Sequence, residues 1–441
     1  MHGWVPIAIQ AMGAVLLAVA VGWRSVRWRT VWLPVGILAG GLLAVAAHEY
    51  IGSFGIAGDA APWSLWVWIA LAGLATAELI LGWRATRWWR RGASLLAIPM
   101  CLLCVALSMN LWVGYFPTVH IAWNQLTARP LPDQTDRITV TAMQFAGTRP
   151  AKGVVVPVII GTRASQFKHR RELVYLPPAW FVENPPPRLP TVLMIGSAFN
   201  TPSDWLRAGN AIQTIDDFAS AHGGNAPVLV FPDATGAFNN DTECVNGIRG
   251  NAADHLVKDV VPYMISNFGV STLRGHWGIV GWSMGGTCAL DLTVMHPDMF
   301  STFVDIAGDL GPNTGNKAQT IAQLFGGGAD AWAAFDPTTV IVRHGRYTGV
   351  SARFDIADAH AAGHDVISNP EGQDVAAHTL CDLATAHGIQ CAVVTQPGRH
   401  DWPFAARAFA ATLPWLAGNL STPETRETTP PASEPRAEGS H

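Results

Sequence analysis

Charged residues are scarce. They make up 14% of the 441 residues against 49% hydrophobic, and the mean hydropathy is positive, +0.22. That balance excludes an ordinary soluble chain and predicts that part of it sits in a membrane. A basic surplus is also missing: 28 Lys and Arg stand against 32 Asp and Glu, a formal net charge of -4. No surface of the kind that recruits nucleic acid follows from such a balance. Cysteine is sparse too. The six, Cys101, Cys104, Cys244, Cys288, Cys381 and Cys391, are too scattered for a disulfide framework, and no Cys/His cluster has zinc-site spacing. Neither a metal nor a cofactor is expected from them. A Cys381–Cys391 disulfide is possible, and Cys288 either belongs to the core or pairs with Cys244.

What is present is unevenly spread. Four apolar runs fill the first quarter: Val5 to Gly22, Val31 to Ala47, Ser64 to Gly82 and Ala93 to Phe116. Each is roughly 17 to 24 residues, long enough to cross a hydrocarbon core of about 30 Å as a helix. Arg24, Arg27 and Arg29 lie between the first two runs, and Arg84, Arg87, Arg90 and Arg91 between the last two. The middle loop carries Glu49 and Asp59 without Lys or Arg. Because cytoplasmic loops retain positive charge, both arginine loops are expected inside, with the N-terminus and everything after Phe116 outside. The first run lacks a basic leader and a small-residue cleavage site, so it reads as an anchor and not a signal peptide. Glu78, the one acid within a span, is expected to snorkel near the inner face.

After residue 116 the pattern changes. Residues 117–136 read as a linker, 137–419 as one α/β unit and 420–441, rich in Pro, Thr, Ser and Glu, as a disordered tail. Within the α/β unit the runs "RITVTAMQF", "GVVVPVIIG", "RELVYLPP", "TVLMIG", "PVLVFPDA", "HWGIVGWS", "TFVDIAG", "SARFDIAD" and "IQCAVVTQPG" read as strands. Helix-spaced segments such as "NAADHLVKDVVPYMISNF", "GGTCALDLTVMHP" and "PFAARAFAATLPWLAG" alternate with them. Such alternation predicts a mostly parallel sheet covered on both faces, with an antiparallel edge at its start.

The chemistry centres on "WGIVGWSMGGTCALDL". A G-x-S-x-G pattern alone is common by chance, but here a strand ends at the first glycine and a helix follows the serine. Strand, tight turn and helix are what a nucleophile elbow requires, and Ser283 sits at its tip. A hydroxyl needs a base, and in this architecture the base follows the last strand. His400 holds that place, after "IQCAVVTQPGR"; His344, His360, His364, His378 and His387 do not. For the acid that orients the imidazole, Asp358 at the end of "SARFDIAD" is the leading choice, with Asp355, Asp365, Asp305 and Asp309 as alternatives. Oxyanion donors are expected from the amide of Met284 and from the loop "IGSAFNTPSDW", at Ser197 ahead of Ala198.

Together, "GWSMGG", "PGRHDW", "IGSAFNTPSDW" and "NDTECVNGIRGNAADHLVKDVVPYM" resemble the esterase branch of the α/β-hydrolase superfamily, which holds esterase D-like enzymes and the antigen 85 mycolyltransferases. The resemblance covers roughly residues 170 to 418. It implies an α/β-hydrolase fold, Ser283 as nucleophile, His400 as base, an acid near Asp358, and main-chain oxyanion donors at Met284 and beside Gly196. Ile195 stands where antigen 85 proteins have an acidic residue, so their trehalose recognition is not carried over.

These readings lead to one expectation. The chain is expected to be a multi-pass membrane-anchored serine esterase acting through an acyl-enzyme on a lipid, glycolipid or envelope ester at the extracytoplasmic face. Transfer of the acyl chain to a sugar or lipid hydroxyl is the alternative, and a non-catalytic binding or scaffold protein on the same fold is a second.

Overall fold

The computed structural model describes residues 4–21, 25–52, 61–83, 87–116, 118–119, 122–123, 127, 131, 133–358 and 372–421. Four helices open the chain: α1 (Trp4–Val21), α2 (Leu33–Gly52), α3 (Trp63–Gly82) and α4 (Trp88–Val113). A π-helical segment, Trp28–Trp32, runs into α2, so each of the four spans 18 residues or more at mean hydropathy 1.8 to 2.1. All four are long and apolar enough to cross a membrane. Their contacts use small residues, as helices do where no hydrophobic drive separates them from lipid. A methyl group on Gly40 of α2 would stand 2.2 Å from the Ala70 carbonyl, and one on Gly73 of α3 would stand 2.8 Å from Gly40 Cα. Glu78 departs from the snorkelling expectation: it is turned into the bundle, 3% exposed. Half of the expected linker, and the tail from 422, lie outside the described residues.

The segment "RITVTAMQF" is a helix, α5 (Arg137–Phe145), where a strand was expected. Asp136 explains the difference: its carboxylate accepts the Thr139 amide at 2.8 Å and caps the helix. The apolar positions then fall at helical spacing, with Val140 buried and Met143 packed beside it, while Ile138 faces out.

The eight other expected strands all form. In chain order they are β1 (Val154–Val158), β2 (Glu172–Leu176), β3 (Thr191–Ile195), β4 (Val228–Phe231), β5 (Trp277–Trp282), β6 (Thr302–Ile306), β7 (Ser351–Asp358) and β8 (Gln390–Pro397). They make one sheet in the order β1-β2-β4-β3-β5-β6-β7-β8. β1 and β2 are antiparallel to their neighbours and the rest are parallel. Alternation along a strand feeds both faces. Val192 and Met194 of β3 point into one core with α6 (Ala211–Ala221) and α12 (Trp402–Asn419), while Leu193 and Ile195 point into the other. That second core is roofed by α7 (Val261–Phe268), α8 (Met284–Met295) and α11 (Gln373–Ala386). Each fully buried aliphatic side chain contributes about 1.5–3 kcal/mol, which is why central strands with no polar face read as unbroken apolar runs. Two helices that the sequence reading did not separate, α9 (Lys317–Phe325) and α10 (Pro337–His344), are capped by Asn316 and Asp336.

The helical bundle meets the α/β unit through the end of α4. The Tyr115 hydroxyl donates to the buried Asp204 carboxylate, and its ring lies edge-on to Trp402 at 6.5 Å. Both partners border the candidate site: Asp204 follows the loop after β3, and Trp402 follows His400 by two residues.

Candidate active site

Ser283 sits between β5 and α8 with φ 56° and ψ -121°, a conformation non-glycine residues rarely hold. Such strain costs about 1–3 kcal/mol and persists only where the surroundings impose it. Here the Ser283 amide donates to the Ile306 carbonyl at 2.9 Å, and the Ser283 carbonyl accepts the Gly286 amide at 2.7 Å. The flanking glycines leave no choice of residue. A methyl group on Gly281 would lie 1.6 Å from the Gly285 carbonyl oxygen.

His400 is delivered by the turn after β8. Its Nε2 lies 3.1 Å from Ser283 Oγ, across 117 residues of sequence. The ring packs on the Trp282 indole at 4.4 Å between centroids. Burial against such groups pushes the imidazole pKa down from 6.5 to about 4, opposed by the charges of Asp309 and Asp401. The imidazole is therefore neutral, and able to accept a proton, across the neutral range. The acid limb of kcat/KM for a soluble ester should accordingly fall near pH 4, and a limb at 6.5 or above would contradict this. A folded pKa below the unfolded one means the unfolded chain binds more protons between the two values, so His400's contribution is complete above about pH 6.5 and is lost toward pH 4.

The other face of the imidazole departs from the simplest expectation. Nδ1 lies 3.0 Å from Gln373 Oε1, at the start of α11. Asp358 ends β7, paired with Pro397 of β8, and its carbonyl accepts the Gly398 amide at 3.1 Å. Asp355 is committed elsewhere: Arg353 grips both its oxygens at 2.8 and 2.9 Å, and Gln396 donates to it at 2.7 Å. Asp305, buried, accepts the Gly308 amide at 2.7 Å, and burial first of all pushes its pKa up to about 8. Asp309 accepts from Asn313 at 2.7 Å. Asp365, His360 and His364 lie outside the described residues.

The loop after β3 reaches the elbow. A methyl group on Gly285 would sit 2.4 Å from the Ile195 oxygen and 2.5 Å from the Gly196 oxygen, so α8 starts in backbone contact with this loop. Met284 occupies the first position of α8, where helix geometry leaves an amide without an intrahelical acceptor, and it lines a small cavity with Gly196 and Ser197. The Ser197 amide itself donates to Asn200 Oδ1 at 2.9 Å. Arg170 supports the loop from behind, with Nη2 bonded to the Asn200 carbonyl at 2.8 Å and to Asp233 at 2.6 Å. Gln373, Trp282, Asn200 and the Arg170–Asp233 pair were not among the residues singled out from the sequence. The Trp282 in the elbow motif was the one with a local signal. Disulfides join Cys244 to Cys288, fastening the "NDTEC" loop to α8, and Cys381 to Cys391. Both pairings were among the possibilities the sequence left open.

The strand order, the strained serine elbow and the histidine after the last strand define an α/β-hydrolase. The family described as "Putative esterase" matches residues 166–416, more than half of the chain, and the chain belongs to it. Its family makes it an esterase-type hydrolase. An uncharacterized protein of Corynebacterium glutamicum is 28% identical over 367 residues, 81% of this chain and 82% of that one. The MPT51 antigen of Mycobacterium leprae is 31% identical over 153 residues, 33% of this chain and 48% of the antigen. Among solved structures, an S-formylglutathione hydrolase from Agrobacterium tumefaciens shares 16% identity at TM-score 0.47, covering 62% of this chain and 97% of that one. A crystal structure of Mycobacterium tuberculosis MPT51 shares 21% identity at TM-score 0.40, covering 60% and 99%.

Proposed function

We propose that this esterase is anchored in the membrane by α1 to α4 and hydrolyses lipid or glycolipid esters on the extracytoplasmic side, through an acyl-enzyme on Ser283. The observation that carries the chemistry is the 3.1 Å approach of His400 Nε2 to the hydroxyl of a serine held at φ 56°. His400 takes the Ser283 proton as the oxygen attacks the ester carbonyl, then returns it to the leaving alcohol; a water deprotonated by the same imidazole releases the acyl group. Asp358 is the proposed carboxylate behind the imidazole. The proposed oxyanion donors are the amide of Met284 and the turn at Ser197 and Ala198. Since Asn200 already holds the Ser197 amide, Ala198 becomes the better candidate there.

The location rests on other features. Four helices of spanning length precede the domain, arginines flank their odd-numbered connections, and two disulfides suit an oxidising compartment. Tyr115, at the exit of α4, is bonded to Asp204 beside the oxyanion loop, which favours a site close to the bilayer surface and a substrate drawn from it.

The full-length protein reconstituted in vesicles containing a phospholipid or glycolipid ester, with and without a sugar acceptor, provides the test by mass spectrometry. Released fatty acid with no acylated sugar is expected. Acylated sugar would assign transfer to an acceptor hydroxyl instead, and turnover of soluble short esters with no attack on vesicle lipid would overturn the lipid assignment. A reporter fused after Ala122 that reads as cytoplasmic would overturn the orientation.

A further inference from the structure

Behind the oxyanion loop lies a cluster that the esterase chemistry does not use. Glu172, the first residue of β2, is fully buried. A carboxylate so placed has to be paired or bound. Its Oε1 accepts the Asp233 amide at 2.9 Å and faces His255 Nε2 at 3.0 Å. Its Oε2 is buried and has no hydrogen-bond partner among the described residues, with His169 Nδ1 3.7 Å away. One donor atom from each of His169, Glu172 and His255 lies within 4.8 Å of the other two.

We propose that His169, Glu172 and His255 form a buried structural site for a divalent transition ion of the zinc type, bracing the wall that carries the oxyanion loop. Donors bonded at about 2.0–2.2 Å to a tetrahedral ion stand about 3.4 Å apart. His255 Nε2 stands 3.0 Å from Glu172 Oε1 and His169 Nδ1 stands 3.7 Å from Oε2, so each imidazole is near that spacing from one oxygen of the same carboxylate. The surrounding groups fit as well. Metal-bound histidines typically donate their second N–H to a carboxylate or a backbone carbonyl. His255 Nδ1 lies 3.3 Å from Asp259 Oδ2, itself held by the Ala164 and Ser165 amides, and His169 Nε2 lies 2.8 Å from the Ile160 carbonyl. Two imidazoles and a carboxylate select zinc-like ions over calcium or magnesium.

His169 Nδ1 lies 2.7 Å from the Arg170 carbonyl while Nε2 faces that of Ile160, and His255 has a carboxylate on each side. The two rings are stacked with centroids 4.3 Å apart. An ion engages the idle Glu172 oxygen and requires the rings to splay from their stack. The Arg170 carbonyl released by His169 is then at hand as a fourth donor.

The site connects to the catalytic wall through Asp233. Its amide bonds Glu172, its carboxylate holds Arg170, and Arg170 bonds the Asn200 carbonyl. Asn200 in turn holds the Ser197 amide. The inference is independent of the esterase reading, and its test reads metal, not turnover. Full-length protein in detergent is stripped with a chelator, dialysed against Co²⁺ or Zn²⁺, and assayed for metal content, Co²⁺ visible absorption and thermal unfolding. Wild type should hold about one ion per chain, show tetrahedral Co²⁺ bands and unfold at higher temperature than the stripped protein. Glu172→Gln and His255→Gln should lose the bands, while His222→Gln, on an exposed side chain, should keep them. Wild type that stays ion-free after dialysis, or variants that bind as wild type does, would overturn the proposal. Because the wild-type spectrum is decisive alone, a variant that fails to fold leaves the test intact. Fluorophosphonate labelling of Ser283 in the same samples keeps any failure of the esterase reading distinguishable.

Discussion

Ser283→Ala is expected to abolish fluorophosphonate labelling and to lower ester turnover on the order of a million-fold, leaving the fold and thermal unfolding close to wild type. The size follows from the geometry. Ser283 Oγ is the atom that His400 Nε2 faces at 3.1 Å, and loss of either partner of such a unit costs about as much as loss of both. What survives is the rate supplied by oxyanion donors and binding alone. The backbone strain should also ease little, because alanine has the same Cβ penalty at φ 56°. Full labelling of the variant would sink the assignment. The same assay ranks the groups behind the imidazole. Gln373 Oε1 accepts from Nδ1 and fixes the tautomer, yet an amide carries no charge to stabilise the imidazolium formed as Ser283 attacks. Asp358 is the carboxylate proposed for that role, and Asp358→Asn is expected to cost about 10⁴-fold in kcat, as loss of the carboxylate does in comparable triads, and Gln373→Ala much less. The reverse ranking would make Gln373 the orienting group.

How much of this was legible in the sequence depended on how local each feature is. Most of the eight sheet strands are short apolar runs ended by glycine or proline, and central parallel strands are buried on both faces. "RITVTAMQF" failed because its β-branched residues suit a strand as well as a helix, and one capping carboxylate, Asp136, decided between them. Ser283 and His400 were readable because each sits in a turn whose flanking strand is itself readable. The partner of His400 Nδ1 was not, since it depends on where the chain between β7 and α11 returns, and glutamine at a helix start carries no catalytic signature. The His169, Glu172 and His255 cluster was invisible for a related reason. Glu172 and His255 are separated by 83 residues and meet only in the folded chain, where the helical segment well after β4 packs against the start of β2. Cysteine and histidine spacing along the chain reports sites built within one loop, not sites assembled by the sheet.

Gly285→Ala is expected to lower kcat by about 10²–10³ while Ser283 remains present and labelled slowly. The added methyl would lie 2.4 Å from the Ile195 oxygen and 2.5 Å from that of Gly196. Neither oxygen can retreat freely, because β3 is paired on one side with β4 and on the other with β5, where Ile195 stands opposite Gly281. The start of α8 must move instead. That shift carries the Met284 amide away from the position a developing oxyanion would occupy, and a displacement near 1 Å can cost about 10²-fold, comparable to deletion of one oxyanion donor. Overpacking should also destabilise the domain by about 1–3 kcal/mol, so rates are normalised to folded protein by unfolding measurements. Gly418→Ala is the control: among the described residues a methyl there meets nothing within 4 Å, and alanine is favoured over glycine within helix α12, so activity should hold and stability should hold or rise. Wild-type kcat in Gly285→Ala would mean that α8 and the loop after β3 do not jointly set the oxyanion geometry, and the donor assignment to Met284 would fall with it.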